Sequence, residues 1–521
     1  MKKINIILTL LAVTLLSACQ GLDEKLYSTF DANSFYQTTA QLQTANYQMY
    51  AAFSMSGNDG WERNMHFIST PLSMYSLTAN NEFASFITFE IDYTNLHLQY
   101  VWSVYYNAIN QANEIIKYAH NVQTTNSSFI AQHIAEARFI RGYSYYCLTV
   151  LFGDVPMRTS PVEEEKDAYV GCTSMEEILE EVVLPDLNFA VENLPYKWGT
   201  GATQGRATKK SARLVLAKVY LQMAGAPLKQ TDRYEDVINT LLPMMNNRSE
   251  YFVGLVPGTD MATLWDGTDK GNNEILLCWG SSRESYGSQM PFFMLPRGDV
   301  RFGNIWTLSA QAIYGVSQAL YDLYESNDLR RAFIARTHMF KNQNTMQLEE
   351  RTYGGNQYNI TSGRGMGLSK YTDPLSTGNS SSINDKVVYR FAEALLVMAE
   401  ACNETGRPDL ALPYLNEVRK RANATLSQTV DQETLRAEIR QERILELVGE
   451  WSDIFDIRRL DEGAYNWANH HYINDYLHGG YAGSRPFDNS PDKYQSKWNL
   501  YPIPAREINF NTEISQNNPG W

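Results

Sequence analysis

Cys19 is the residue whose chemistry the sequence states most plainly. It directly follows Leu16, Ser17 and Ala18, the last two small, in the manner of a bacterial lipobox. The thiol is the group that takes up diacylglycerol. Ahead of it, Lys2 and Lys3 form a short basic region and residues 4–16 a mostly apolar run. That run is well short of the roughly 20 residues needed to cross a bilayer and suits a secretory signal peptide over 1–18. An N-terminus carrying more than one acyl chain anchors stably. The mature chain is therefore expected to be exported and held at a membrane surface by lipid on Cys19, with 20–25 as a polar tether.

Other reactive groups are sparse. Cys147, Cys172, Cys278 and Cys402 form no CxxC pair, and their wide spacings argue against zinc. Cys147 and Cys402 fall inside apolar helical patterns and read as core thiols; the spacing leaves a disulfide between any two open. No GxSxG, HExxH or Walker loop is present. A glycosidase needs two carboxylates about 5–10 Å apart, but among 58 acidic residues some pair meets that distance by chance. No catalytic residue is assigned. His470 and His471 have no partner at metal-ligand spacing. Asp488, Asn489 and Asp492 suit a Ca²⁺ contact, but the twelve-residue EF-hand loop is absent. No cofactor or metal is expected. Glu163, Glu164 and Glu165 read as a solvated face. Arg440, Arg443, Arg458 and Arg459 interleave with Glu442, Glu446 and Asp456 as a structural ion-pair network.

These residues need a scaffold, and the chain is long enough to supply one. At roughly 100–200 residues per domain, 521 residues make three or four domains or one elaborated fold. The hydrophobic share of 44% supports a sizeable core. A formal charge of −14 argues against nucleic acid as a partner. The fold class is mostly α, with tetratricopeptide-like hairpins. In the clearest one, Ala399 and Ala411 let two antiparallel helices approach, and Gly406 stands at the turn. Ala135 to Tyr145 and Ala212 to Tyr220 repeat the first-helix pattern, the latter with a partner near 234–245. Residues 38–53 and 98–119 make a fourth pair. A further helix over 431–447 has a capping box in Thr429 and Gln432. Three stretches break the pattern: 54–97, 246–385 and 463–498, rich in Asn, Gly and aromatic residues. Within the second, 275–279 reads as a strand. Loops this long are functional or form small subdomains.

The motifs together resemble the SusD/RagB family of nutrient-uptake outer-membrane lipoproteins. The resemblance runs through the lipobox with Leu22-Asp23, and through Trp102, Tyr105 and Ile109 to Asn113. It continues in Glu136 to Tyr143 followed by Leu151-Phe152-Gly153-Asp154-Val155-Pro156. Leu415 to Ala422, Glu442-Arg443, Glu446-Leu447, Glu450, Asp456 to Arg459, Leu500 to Pro504 and Gln516 to Trp521 complete it. Trp451 and Asp453 depart from the family's usual Gly and Arg. The organisation expected is a signal peptide (1–18), an N-terminal region with tetratricopeptide-like helices and a ligand loop at 54–97 (19–245), an irregular, loop-rich capping subdomain (246–385) and a C-terminal region with the last hairpin (386–521).

The resemblance implies a protein lipid-anchored on the extracellular face of the outer membrane. It would bind a glycan and deliver it to a SusC-like TonB-dependent transporter, capping it as a lid. A peptide or glycopeptide ligand is the alternative within the same uptake type; a surface glycoside hydrolase and a pure tetratricopeptide adaptor are rivals from other classes. The family motifs mark scaffold, so the ligand contacts rest on chemistry. Sugars offer apolar C–H faces to aromatic rings and hydroxyls to amides and charged groups. Trp61, Tyr75, Asn81, Phe83, Tyr286 and Trp306 are the ligand-binding candidates, from a wider set with Phe67, Asn80, Phe86, Arg283, Phe292, Phe293 and Arg301. Trp279 ends an apolar run and reads as core, and Trp102 as structural.

Overall fold

The computed structural model describes residues 35–54, 73–75, 91–199, 205–282, 287–296, 298–302, 305–310, 314–316, 318–342, 344–352, 366–374, 382–450, 453–460 and 496–521. Helices dominate, and they pair in chain order. The first pair is α1 (Thr39–Ser54) on α2 (Leu96–Tyr118). The Asn95 side chain caps α2 by accepting from the His97 N–H at 2.8 Å, satisfying a donor the helix itself leaves open. Next comes α3 (Ser127–Phe152), against α4 (Leu184–Asn193), which is entered through a π-helical turn at Leu179–Val183. From His133 to Phe152 nearly every residue of α3 is buried, as befits a helix enclosed on all sides. Gly142 lets α4 approach: a Cβ there would lie 3.2 Å from Leu187 Cγ.

The third pair is α5 (Lys209–Ala224) with α6 (Arg233–Asn246), and the fourth α7 (Phe391–Glu404) with α8 (Pro408–Arg421). Ala399 and Ala411 are fully buried. Gly406 makes the turn at φ +73, a left-handed value that costs glycine little. The expected hairpins are thus present. The cap expected on α9 (Gln432–Leu447) is not the one observed. Asp431, not the Thr429/Gln432 box, holds the helix start, its carboxylate accepting from Thr434 N–H at 2.9 Å. A carboxylate two residues nearer the helix is both a better acceptor and a better match to the helix dipole.

Strands come almost entirely from the insertions. β1 (Ser73–Tyr75) lies in the first. The central one supplies β2 (Ile275–Trp279), β3 (Gly298–Phe302), β4 (Ile305–Ala310), β5 (Tyr314–Val316), β6 (Thr337–Lys341) and β7 (Leu348–Thr352). An antiparallel sheet runs in the order β7-β6-β3-β4. β2 pairs with β8 (Lys386–Arg390), which leads straight into α7. All five residues of β2 are buried. Trp279 is core, as its sequence position predicts: it stacks on Phe53 at 4.6 Å and meets Tyr143 edge-on at 5.7 Å. Trp102 is also buried. Cys147, Cys278 and Cys402 are buried free thiols and Cys172 an exposed one.

A buried ion lattice fastens the central insertion to the last hairpin. Arg390 reaches Glu274 at 2.6 Å and Glu450 at 2.7 Å. Arg330 reaches Asp328 at 2.7 Å, Glu442 at 2.6 Å and Glu446 at 3.0 Å. Lys370 meets Glu450 at 2.7 Å, and Arg421 pairs with Glu446. Beside it, Arg443 and Arg459 hold Asp456 through α10 (Asp453–Arg459), and Arg459 also reaches Glu400 at 2.7 Å. The network expected from 440–459 is therefore real. Arg443 and Arg459 are its cations here, while Arg458 takes the Val150 and Leu151 carbonyls at 2.6 Å.

Candidate functional site

The aromatic insertions meet through backbone hydrogen bonding. β1 runs antiparallel to β5, with Ser73 opposite Val316 and Tyr75 opposite Tyr314. The first insertion is thereby stitched to the central one. β4, which carries Trp306, pairs with β3 in a register that sets Trp306 opposite Arg301. The short helix Met290–Met294 packs against both β4 and β5. The strands bearing Tyr75 and Trp306, more than 200 residues apart in the chain, therefore belong to one subdomain reached from two insertions.

The described residues on either side of 283–286 are held by hydrogen bonds. On one side the Ser281 N–H donates to Asp385 at 2.9 Å, and Lys270 bridges Asp385 and the Ser281 carbonyl at 2.5 and 2.7 Å. Burial raises the pKa of Asp385, and Lys270 opposes it. On the other side Ser288 and Ser382 exchange backbone bonds at 2.8 and 2.9 Å. Of the wider candidates, Phe293 is buried and Phe292 partly so, their rings edge-on at 5.3 Å, so Phe293 fills the subdomain's core.

Cys19, Trp61, Asn81, Phe83 and Tyr286 lie outside the described residues, as do Phe67, Asn80, Phe86, Arg283, His470, His471, Asp488, Asn489 and Asp492. Tyr75, Arg301 and Trp306 are placed by their strands. Among the described residues no group of three or more His, Cys, Asp or Glu is arranged to hold a metal ion. No helix among them is long and apolar enough to cross a membrane.

A cavity of about 110 Å³ forms where sequence reading passes over the residues, between the end of α4, the start of α5 and β2. Its walls include Tyr196, Lys197, Trp198, Arg206, Lys210 and Phe252. The available signal was local, two aromatic residues flanking a lysine at 196–198 with Arg206, Lys209 and Lys210 soon after.

The chain is 28% identical over 549 aligned positions to SusD-like protein P2 of Formosa agariphila, covering the whole of both chains. Its fold matches a solved SusD homolog from Bacteroides thetaiotaomicron with a TM-score of 0.80 at 21% identity, over 94% of this chain and 98% of that one. It also matches surface glycan-binding protein A from Bacteroides fluxus, with a TM-score of 0.72 at 20% identity, over 93% and 100%. A family model described as starch-binding and associating with the outer membrane matches residues 22–221. The model of the SusD family matches 229–521, more than half of the chain. By that match, and by the fold it shares, the chain belongs to the SusD family.

Proposed function

We propose that this chain captures an oligosaccharide at the extracellular face of the outer membrane, anchored by lipid on Cys19. It then delivers the sugar to a SusC-like TonB-dependent transporter, over which it acts as a lid. The pairing of β1 with β5 carries the reading. It supports a single binding face to which both aromatic-rich insertions contribute, mounted on a rigid helical frame. Trp61, Tyr75, Phe83, Tyr286 and Trp306 are assigned to the sugar's C–H faces and Asn81 to its hydroxyls. Binding is the whole of the chemistry; no bond is made or broken. The lattice between the insertion and the last hairpin supports a lid that moves with its cargo as one body.

A glycan-array screen of the soluble chain, starting just after Cys19, tests the reading. Binding to one polysaccharide class is expected, weakened about tenfold, or roughly 1.4 kcal/mol, by Trp61→Ala or Trp306→Ala without unfolding. Peptide binding in place of glycan binding would redirect the reading to a peptide cargo. Release of sugar product by the pure protein would identify a hydrolase. Co-isolation of a barrel transporter with the lipidated chain tests delivery.

A further inference from the structure

The cavity beside α5 reverses the sign of the molecule. The chain carries a formal charge of −14, yet the cavity's lining includes Lys197, Arg206 and Lys210 and no carboxylate. Arg206 is engaged within the fold. Its Nε lies 2.9 Å from Glu136, and its guanidinium stacks on Trp198, 3.4 Å from the ring centroid. The two lysines are not so engaged. Among the described residues neither pairs with a carboxylate. Lys197 stands 5.4 Å from the Phe252 ring centroid, and Lys210 donates to the Phe252 carbonyl at 3.2 Å. An ammonium has three donors to place, and this carbonyl takes one.

The rest of the lining suits a ring with hydroxyl groups. Tyr196, Trp198 and Phe252 supply aromatic surface, Thr208 and Asn273 hydrogen-bonding groups. Phe252 is held at φ 53, ψ 53 with 41% of its surface exposed. A bulky residue in the left-handed region is a costly choice of backbone, of the kind that gathers at binding sites. At roughly 10–15 Å³ for each water-sized occupant, the space fits about one substituted ring. Burial draws the Lys210 ammonium down to about 8, and Lys197 pushes the same way. An anion beside it would relieve both.

We propose that this cavity is a second carbohydrate site, separate from the β1–β5 face, which takes one sugar ring bearing a single anionic group, a uronic carboxylate or a sulfate ester. Lys210 and Lys197 meet the anion, and the three aromatic residues flank the ring. The choice of a sugar follows from the family's glycan binding. The site itself does not depend on the insertion face and stands if that face proves to bind something else.

The test is calorimetric titration of the mature chain, lacking only the lipidated residue, with sodium glucuronate, glucose 6-sulfate, glucose and inorganic sulfate. The acids are expected to bind at least tenfold more tightly than glucose and than inorganic sulfate. Lys210→Gln is expected to remove most of that preference, Lys210→Arg to restore part of it, and Lys197→Gln to weaken it two- to threefold. Binding of either acid alone names the anion and supports the site. Trp61→Ala and Trp306→Ala are expected to leave acid binding unchanged, which separates failure here from failure of the insertion face. Equal affinity for glucose and the acids, indifference to Lys210→Gln and Lys197→Gln, or inorganic sulfate binding as well as the sugar acids would each overturn the proposal. Should Lys210→Gln fail to fold, the exposed Lys197 carries the test.

Discussion

Two basic regions of this molecule are built from the same residue types and do different work. In the lattice, Arg330, Arg390, Arg421 and Lys370 each reach at least one carboxylate, and all are almost wholly buried. In the cavity beside α5, Lys197 and Lys210 reach none among the described residues. Removing charges from water costs several kcal/mol for each ion, and only well-placed counter-charges offset it. The lattice has its counter-charges in the chain, so its cations are committed to the fold. The cavity's lysines keep their attraction for something outside. What marks a cation as functional is where its counter-charge resides, not its type or its depth.

The comparison breaks most directly at Arg390. Arg390→Ala leaves Glu274 and Glu450 buried without their shared partner and is expected to cost about 3–5 kcal/mol in urea unfolding. Lys197→Gln, an exposed change, should stay within about 0.5 kcal/mol of the parent. Similar losses in both would erase the distinction.

Acid sharpens it next. Burial alone would raise the pKa of Glu446, but Arg421, Arg390, Arg330 and Lys370 outweigh it and hold the carboxyl well below the usual range. Arg443 and Arg459 do the same for Asp456. A carboxylate so depressed stabilises the fold fully above its unfolded pKa, and that contribution drains away as pH falls toward the folded value. Stability should therefore drop progressively below about pH 4.5. Glu446→Gln should be less stable than the parent at pH 7 and lose less on going to pH 3. Urea midpoints of both proteins at the two pH values measure this. An equal loss in both would remove Glu446 from the account of acid sensitivity.

Much of the helical frame was legible because local spacing encodes it. Ala399, Gly406 and Ala411 announce a hairpin by themselves, and the run at 275–279 announces a buried strand. The lattice was legible only in part. Arg443 and Asp456 are near neighbours in sequence, but Arg330 and Glu442 are separated by 112 positions, Arg390 and Glu274 by 116. A side chain's type does not name a partner so far away. The insertion face was legible as composition, while its assembly through β1 and β5 was not, since three-residue strands leave little trace. The cavity draws on segments at 196–198, 205–210, 252 and 271–278, and no one of them carries a motif. At the scale of one cap, the frame offers its own check. Asp431→Ala should cost about 1 kcal/mol and Thr429→Ala distinctly less, since Asp431 makes the cap.

The smallest effect bears on Lys210 itself. Its folded-state pKa is about 8, set first by burial and then by the repulsion of Lys197, with the buried Cys278 thiol on β2 pulling the other way. Arg206 also lines the cavity, but Glu136 answers its charge. In the unfolded chain Lys210 returns to about 10.4. Between these values the unfolded chain holds a proton that the folded chain has released, so stability rises with pH across that window. The slope has the same sign as that of the lattice carboxylates, whose contribution is complete well below this window. Lys210→Gln should flatten the rise between pH 8 and 10.5, while Glu446→Gln leaves it intact. A bound sugar acid favours the charged ammonium, so titration with glucuronate near pH 9 should take up protons. The observed binding heat should then change with the ionisation enthalpy of the buffer, and that buffer dependence should vanish in Lys210→Gln. A binding heat equally sensitive to buffer in the variant would place the titrating group elsewhere and return Lys210 to the class of structural cations.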